Sequence, residues 1–139
     1  MRFLLDTNIV TEAAKPRPNA RVLSWLLAHE SASGVPSIVV AERYQGAHDA
    51  PMERRARLLA EVDHFIREFG EMIVPFDAEA AKVWGEYVTR PAFKLTPRSY
   101  PDSQIAAIAL SRELTVVTRN VGDFPNVSVI NPFGDQEGF

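Results

Sequence analysis

Apolar residues fall into short blocks along the chain, separated by polar, glycine- and proline-containing punctuation. The spacing inside each block tells strand from helix. Arg2 to Leu5 is a short apolar run that stops at Asp6-Thr7-Asn8, three residues that favour turns and caps, which predicts a buried strand feeding a helix. After the breaker segment Lys15-Pro16-Arg17-Pro18, residues Asn19 to Ala28 place Val22, Leu23, Trp25, Leu26 and Leu27 mainly on one helical face. Ala32 to Val35 reads as a second short strand, and Pro36-Ser37 opens a helix from Ile38 to about Ala47, with Ser37 as its expected N-cap. Pro51 begins a long charged helix whose apolar residues Leu58, Leu59, Val62, Phe65, Ile66 and Phe69 recur at helical spacing until Gly70 closes it.

The second half repeats the alternation. Met72 to Pro75 is a short strand, Asp77 caps a helix containing Ala80, Ala81, Val83 and Trp84, and Arg90 to Ser99 reads as a loop. Pro101 suits the first turn of a helix running to about Arg112, rich in small apolar residues. Thr115 to Thr118 is a β-branched strand, Gly122 to Pro125 a turn or single helical turn, and Val127 to Ile130 a last strand. Short strands alternating with helices predict an α/β sandwich with a mostly parallel sheet. One domain over 1–133 accounts for the pattern, with 134–139 expected to be a flexible tail.

Composition narrows the class. A chain of 139 residues with 46% hydrophobic and 24% charged residues suits one globular domain, so neither disorder nor a second domain is needed. There is no cysteine, which excludes thiol chemistry and thiolate-bound zinc. The apolar run before Asp6 is only three residues long, Phe3 to Leu5, too short for a signal peptide or a membrane span, so a cytoplasmic location and no membrane partner are expected. A net charge of −3 argues against a surface that is basic throughout, although a local basic strip beside an acidic pocket stays compatible with it. Of the fifteen basic residues only Lys15, Lys82 and Lys94 are lysine, and the arginine forks that remain suit phosphate or carboxylate recognition.

In a parallel α/β sheet, ligands bind beyond the carboxyl ends of the strands, and acidic residues recur there. Asp6 ends the first strand, Asn120 and Asp123 follow the strand at Thr115, Asp102 lies in the first turn of the small-residue helix, and Glu42 sits among Ile38, Val39, Val40 and Ala41. Each acid taken singly has an ordinary reading. Asp6 is a helix cap, Asp102 a first-turn acid, Glu42 part of a solvated stripe with Arg43 and Gln45, and Asp123 a turn residue. Gathered at one sheet edge, however, they repel one another and call for a hard cation. Oxygen donors without a histidine or cysteine cluster suit Mg2+ or Mn2+, whose usual chemistry is phosphoryl transfer or phosphodiester hydrolysis. The arginines at 54, 55, 57 and 67 read as a solvated helix face, and His29, His48 and His64 match no ligand spacing.

Four segments carry a resemblance: Leu4-Leu5-Asp6-Thr7-Asn8, Ala41-Glu42, Asp102-Ser103-Gln104-Ile105-Ala106-Ala107, and Val117-Thr118-Arg119-Asn120-Val121-Gly122-Asp123-Phe124, followed by Asn131-Pro132-Phe133. In this order and at this spacing the chain resembles the PIN-domain ribonucleases, in particular the VapC and FitB type toxins of type II toxin–antitoxin systems. The resemblance implies a three-layer α/β/α fold, a site where Asp6, Glu42 and Asp102 bind one or two divalent metals, an RNA substrate, a cognate antitoxin and a homodimer. It implies cleavage to a 5′-phosphate and a 3′-hydroxyl by a water activated at Asp6, Asp102 and Asp123, with Glu42 assisting. Thr7 and Thr118 would be supporting hydroxyls, Asn8 a supporting or substrate contact, and Arg119 either a phosphate contact or an ion-pair residue. Where the family often has another acid this chain has Asn120, so one or two metals remain open, and so does a weakly catalytic PIN-like module that binds RNA or protein. A phosphatase using Asp6 as nucleophile lacks its second Asp, since Asn8 stands there, and its lysine, since Arg119 stands there. An apolar groove between the helices near Val22 to Leu27 and Val39 to Leu59 is the expected seat of the antitoxin.

Overall fold

The computed structural model describes residues 1–94 and 100–134. Its strands are β1 (Phe3–Leu5), β2 (Ser33–Pro36), β3 (Ile73–Val74), β4 (Thr115–Val117) and β5 (Val129–Ile130). The helices are α1 (Thr7–Ala13), α2 (Ala20–His29), α3 (Ser37–Asp49), α4 (Met52–Phe69), α5 (Ala78–Tyr87), α6 (Pro91–Lys94) and α7 (Tyr100–Arg112). All strand pairs are parallel, in the order β3-β2-β1-β4-β5. Helices flank this sheet, an α/β/α arrangement.

The strand order decides where a site forms. The chain steps from β1 through β2 to β3 on one side, then returns to lay β4 on the other side of β1. Beyond the ends of β1 and β4 the crossovers depart in opposite directions, leaving the crevice where open α/β sheets bind ligands. The register Leu5↔Val117 makes the two strands end level, and the Asp6 amide donates to the Val117 carbonyl at 3.0 Å. Asp6 and Thr118 therefore leave the sheet side by side.

Burial explains the remaining pattern. Leu4, Val116 and Val117 are wholly buried, as are Ile9 of α1, Val22 of α2 and Val39 of α3. Phe3 meets Trp25 edge to face with centroids 4.9 Å apart, which ties α2 to the sheet. In α7, Ile105 to Ala109 are all fully buried, and small residues there let the helix lie close to α5. Trp84 on α5 donates its indole N–H to Ser103 Oγ at 2.8 Å, and Tyr87 donates its hydroxyl to the Pro125 carbonyl at 2.8 Å. Both aromatic polar groups are thus satisfied.

Local signals were read correctly at most element ends. Asn19 accepts from the amides of Arg21 and Val22, and Asp77 from that of Ala80. Ser37 does not cap α3: the helix begins at Ser37 itself after Pro36, and Ser37 Oγ instead accepts the Phe76 amide at 3.1 Å, bridging to the segment after β3. The expected loop at Arg90 to Ser99 starts with the single helical turn α6, capped by Arg90, whose carbonyl accepts the Phe93 and Lys94 amides. The rest of that loop, 95–99, and the tail from 135 onward lie outside the described residues. Among the described residues no helix is long and apolar enough to cross a membrane.

Candidate active site

A cleft of about 320 Å³ opens beyond the carboxyl ends of β1 and β4. Asp6, Thr7 and Asn8 line it from the start of α1, Glu42 from α3, Asp102 from α7, and Arg119 and Asn120 from the segment after β4. Side chains separated by more than ninety positions therefore share one space because the sheet order sets β4 beside β1.

Asp6 organises the centre. It is only 4% exposed, and it caps α1: Oδ1 accepts the Thr7 amide at 2.7 Å. Oδ2 accepts the Thr118 hydroxyl at 2.9 Å and the Asn8 amide nitrogen at 3.3 Å. One oxygen of Asp6 caps α1 while the other is held by Thr118 and Asn8. Burial raises its pKa above the ordinary aspartate range; hydrogen bonds from Thr118 and Thr7 oppose the rise, and the negative charges of Glu42 and Asp123 add to it.

The neighbours are held in turn. Thr7 donates its hydroxyl to Glu42 Oε1 at 2.6 Å, tying α1 to α3. Asn8 reaches across to β4, donating to Thr118 Oγ1 at 3.2 Å and accepting the Arg119 amide at 3.1 Å. Thr118 is fully buried, and its hydroxyl oxygen also accepts the Asn120 amide at 3.0 Å. Thr118 thus stands behind Asp6 and does not line the cleft. Asp123, in the 3-10 turn Val121–Asp123, is half-buried and does not line it either, yet its charge is felt at Asp6.

Four lining residues carried no functional reading in the sequence: Thr11 and Glu12 of α1, Lys15 just after it, and Phe133. Nothing local marked Phe133. For Glu12 the signal was present, since an acid within α1 just before a Lys-Pro-Arg-Pro breaker can accept from the chain as it doubles back.

The donor set was tested against a divalent cation. Among the described residues no three acidic or imidazole side chains stand close enough to enclose an ion by themselves. Mg2+ and Mn2+ do not need such a cage: Mg2+ keeps several waters and binds through one or two carboxylates. A carboxylate whose charged form is disfavoured by burial and by two like charges, with Glu42 and Asp102 lining the same cleft, gains from a cation at that place. The residues present fit the ion.

Comparison with known proteins agrees with this geometry. The PIN-domain sequence profile matches residues 3–129. The plasmid stability protein StbB of Pseudomonas syringae pv. tomato is 33% identical over 136 residues, covering 94% of this chain and 98% of StbB. The tRNA(fMet)-specific endonuclease VapC of Shigella flexneri is 30% identical over 127 residues, covering 91% of this chain and 92% of that protein. Toxin FitB of Neisseria gonorrhoeae is 33% identical over 139 residues, covering 96% of this chain and 99% of FitB. The FitAcB crystal structure from the same organism superposes with a TM-score of 0.81 over 95% of this chain and 99% of the matched chain, at 30% identity. With the profile spanning all five strands and the acidic cleft at the strand ends, this chain belongs to the PIN-domain family.

Proposed function

We propose that this protein is a metal-dependent endoribonuclease, the toxin of a toxin–antitoxin pair, and that its cleft holds Mg2+ or Mn2+. The observation that carries the reading is Asp6: a carboxylate buried beyond β1, raised by burial and by Glu42 and Asp123, beside Asp102 and Glu42 in one open cleft. Asp6 and Asp102 would hold the ion, Asp123 would add negative charge from outside the cleft, and Glu42 would assist. The chemistry such an ion supplies is the activation of water and the neutralisation of charge at phosphorus.

The chain's own residues do the rest. Thr118 and the Thr7 amide favour the charged form of Asp6, opposing its burial, and fix the orientation of its carboxylate. Thr7 fixes one oxygen of Glu42, which leaves the other to accept a proton or orient a water. Asn8 locks the Arg119 backbone, and with it the direction in which the Arg119 side chain departs. Asn120 offers a neutral carbonyl where another acid would add charge, which favours one strongly held ion over two. RNA cleaved this way carries a 5′-phosphate and a 3′-hydroxyl.

The sequences and structures to which this chain is similar include tRNA(fMet)-specific endonucleases and toxin–antitoxin complexes, which supports RNA as substrate and an antitoxin as partner. A groove of about 520 Å³ fits the partner's apolar helix. The groove is lined by Ile9 and Val10 of α1, Leu26 of α2 and Phe65 and Phe69 of α4, so it reaches the end of α4, beyond the Val39 to Leu59 stretch expected from sequence. A homodimer acting in the cytosol completes the reading.

The test uses protein freed of its partner and structured RNA, with Mg2+ or Mn2+, with EDTA, and as Asp6→Asn. Cleavage only in the first condition is expected; equal cleavage in all three rejects the proposal. A second reading, a PIN-like module that binds RNA without cutting, is favoured by Asn120 and by the lack of an enclosed three-acid cluster among the described residues. It predicts RNA binding with no cleavage under any of the three conditions.

A further inference from the structure

The acidic cleft is also lined by two cations, to which the metal-binding part of the nuclease reading gives no ligand. Lys15 and Arg119 line the same cleft as Asp6, Glu42 and Asp102. Each cation is held by a group that does not belong to the acidic centre. Lys15 Nζ lies 2.9 Å from Glu12 Oε1, and Glu12 is itself buried, its other oxygen accepting the Asn19 amide at 2.8 Å. The Arg119 guanidinium carbon sits 3.9 Å from the centroid of the Phe133 ring, and that ring is buried beneath it.

These anchors have different consequences for the two cations. Glu12 makes both its bonds within the α1–α2 connection, and the Lys15 hydrogen bond is the chief reason its carboxyl sits below the usual glutamate range. An ammonium with three donors and one used keeps two for a ligand. Arg119 stacks on a ring that offers no hydrogen bond, and among the described residues its guanidinium forms no ion pair, so its fork of donors remains available. A carboxylate pole and a cation pole in one cleft of about 320 Å³ match a phosphodiester chain, one phosphate at the acidic pole and its neighbour at the basic one.

We propose that Lys15, positioned by Glu12, and Arg119, positioned on Phe133, bind a backbone phosphate of single-stranded RNA adjacent to the one cleaved. This rests on the nuclease reading for the choice of RNA, and the experiment separates the two. Glu12 is a positioning residue that acts through Lys15.

The probe is a fluorescein-labelled single-stranded RNA decamer, and anisotropy is followed in EDTA between 50 and 200 mM salt, so no cleavage intervenes. Lys15→Gln and Arg119→Gln each weaken binding about threefold to tenfold and reduce the log–log salt slope by about 0.7, the value for one lost phosphate contact on a single strand. Their melting temperatures stay within about 2 °C of the parent, as for other exposed charge changes. Glu12→Gln carries a change of sign. Removing a negative charge near RNA tightens binding by simple electrostatics, whereas loss of the Lys15 anchor weakens it, with a smaller salt slope.

Weaker binding by Glu12→Gln together with both slope changes supports the proposal. Parental affinity and slope in the Lys15 and Arg119 variants, tighter binding by Glu12→Gln, or no RNA binding by the parent chain overturns it. A parent that cleaves RNA while its variants bind unchanged loses only the basic pole; a parent that shows all three binding effects yet never cleaves loses only the nuclease reading.

Discussion

Replacing Thr118 by valine removes a hydroxyl while keeping nearly the same shape, and the structure says what that hydroxyl holds. It donates to Asp6 Oδ2 at 2.9 Å and accepts from Asn8 Nδ2 at 3.2 Å and from the Asn120 amide at 3.0 Å. The bond to the Asp6 carboxylate is charge-assisted and buried, so its loss costs about 1.5–3 kcal/mol. The Asn8 amide keeps its contact with Asp6, and the exposed Asn120 amide can turn to water, so these two add at most about 1 kcal/mol together. A total near 3 kcal/mol in a domain of this size corresponds to a fall of roughly 10 °C in melting temperature.

The same change removes the larger of the two bonds that hold down the pKa of Asp6, so that pKa rises further. Thr118→Val is therefore expected to lose RNA cleavage at neutral pH and to regain part of it as pH rises. Thr118→Ser keeps the hydroxyl and should retain activity. Calorimetric melting and a pH–rate profile on the three proteins decide the matter. A valine variant that melts within about 2 °C of the parent and cleaves with the parental pH profile would refute the reasoning.

Other consequences follow from single features. Because burial raises Asp6 above its ordinary value of 3.8, the folded chain binds that proton more tightly than the unfolded one; the stability Asp6 contributes is full below 3.8 and lost as pH climbs through the folded value. In EDTA, the melting temperature of Asp6→Asn minus that of the parent should grow between pH 4 and neutrality, and a flat difference would contradict the shift. Glu113 ends α7 with φ +56°, and the Leu114 amide donates back to the Ala109 carbonyl at 2.9 Å, a left-handed helix end that favours glycine. Glu113→Gly should raise the midpoint of urea unfolding, by about 0.5–1 kcal/mol of stability, and a lower midpoint would count against that reading. A Cβ at Gly34 of β2 would lie 2.8 Å from Val74 Cγ2, so Gly34→Ala should push β3 away and destabilise the sheet by about 1–3 kcal/mol, measured by the same unfolding.

Much of this architecture is legible in the sequence because its signals are local. Strands announce themselves as short apolar runs such as Phe3 to Leu5, and caps as Asn19 and Asp77 placed just before periodic helices. Ser37 misleads for the opposite reason: its hydroxyl serves an amide thirty-nine residues away, and nothing near it in sequence reveals that partner. The acidic residues of the cleft were legible as candidates one by one: Asp6 ends a strand, Asp102 opens a helix, and Glu42 follows a run of apolar residues within one. Their convergence was legible through the family motifs, because no local rule puts β4 beside β1. Glu12, Lys15 and Phe133 were missed because an acid and a lysine three apart read as an ordinary helix-surface pair, and a phenylalanine near the end of the chain as core. Only the fold shows that all three border the cleft.

The central claim is that Asp6 and its acidic neighbours share one divalent cation. Titrating the metal-free protein with Mn2+ in a calorimeter tests it most directly, alongside Asp6→Asn and Asp102→Asn. Saturable binding near one ion per chain, abolished by Asp6→Asn and weakened by Asp102→Asn, is the predicted result. Binding of Mn2+ with parental affinity and stoichiometry by Asp6→Asn would contradict the account.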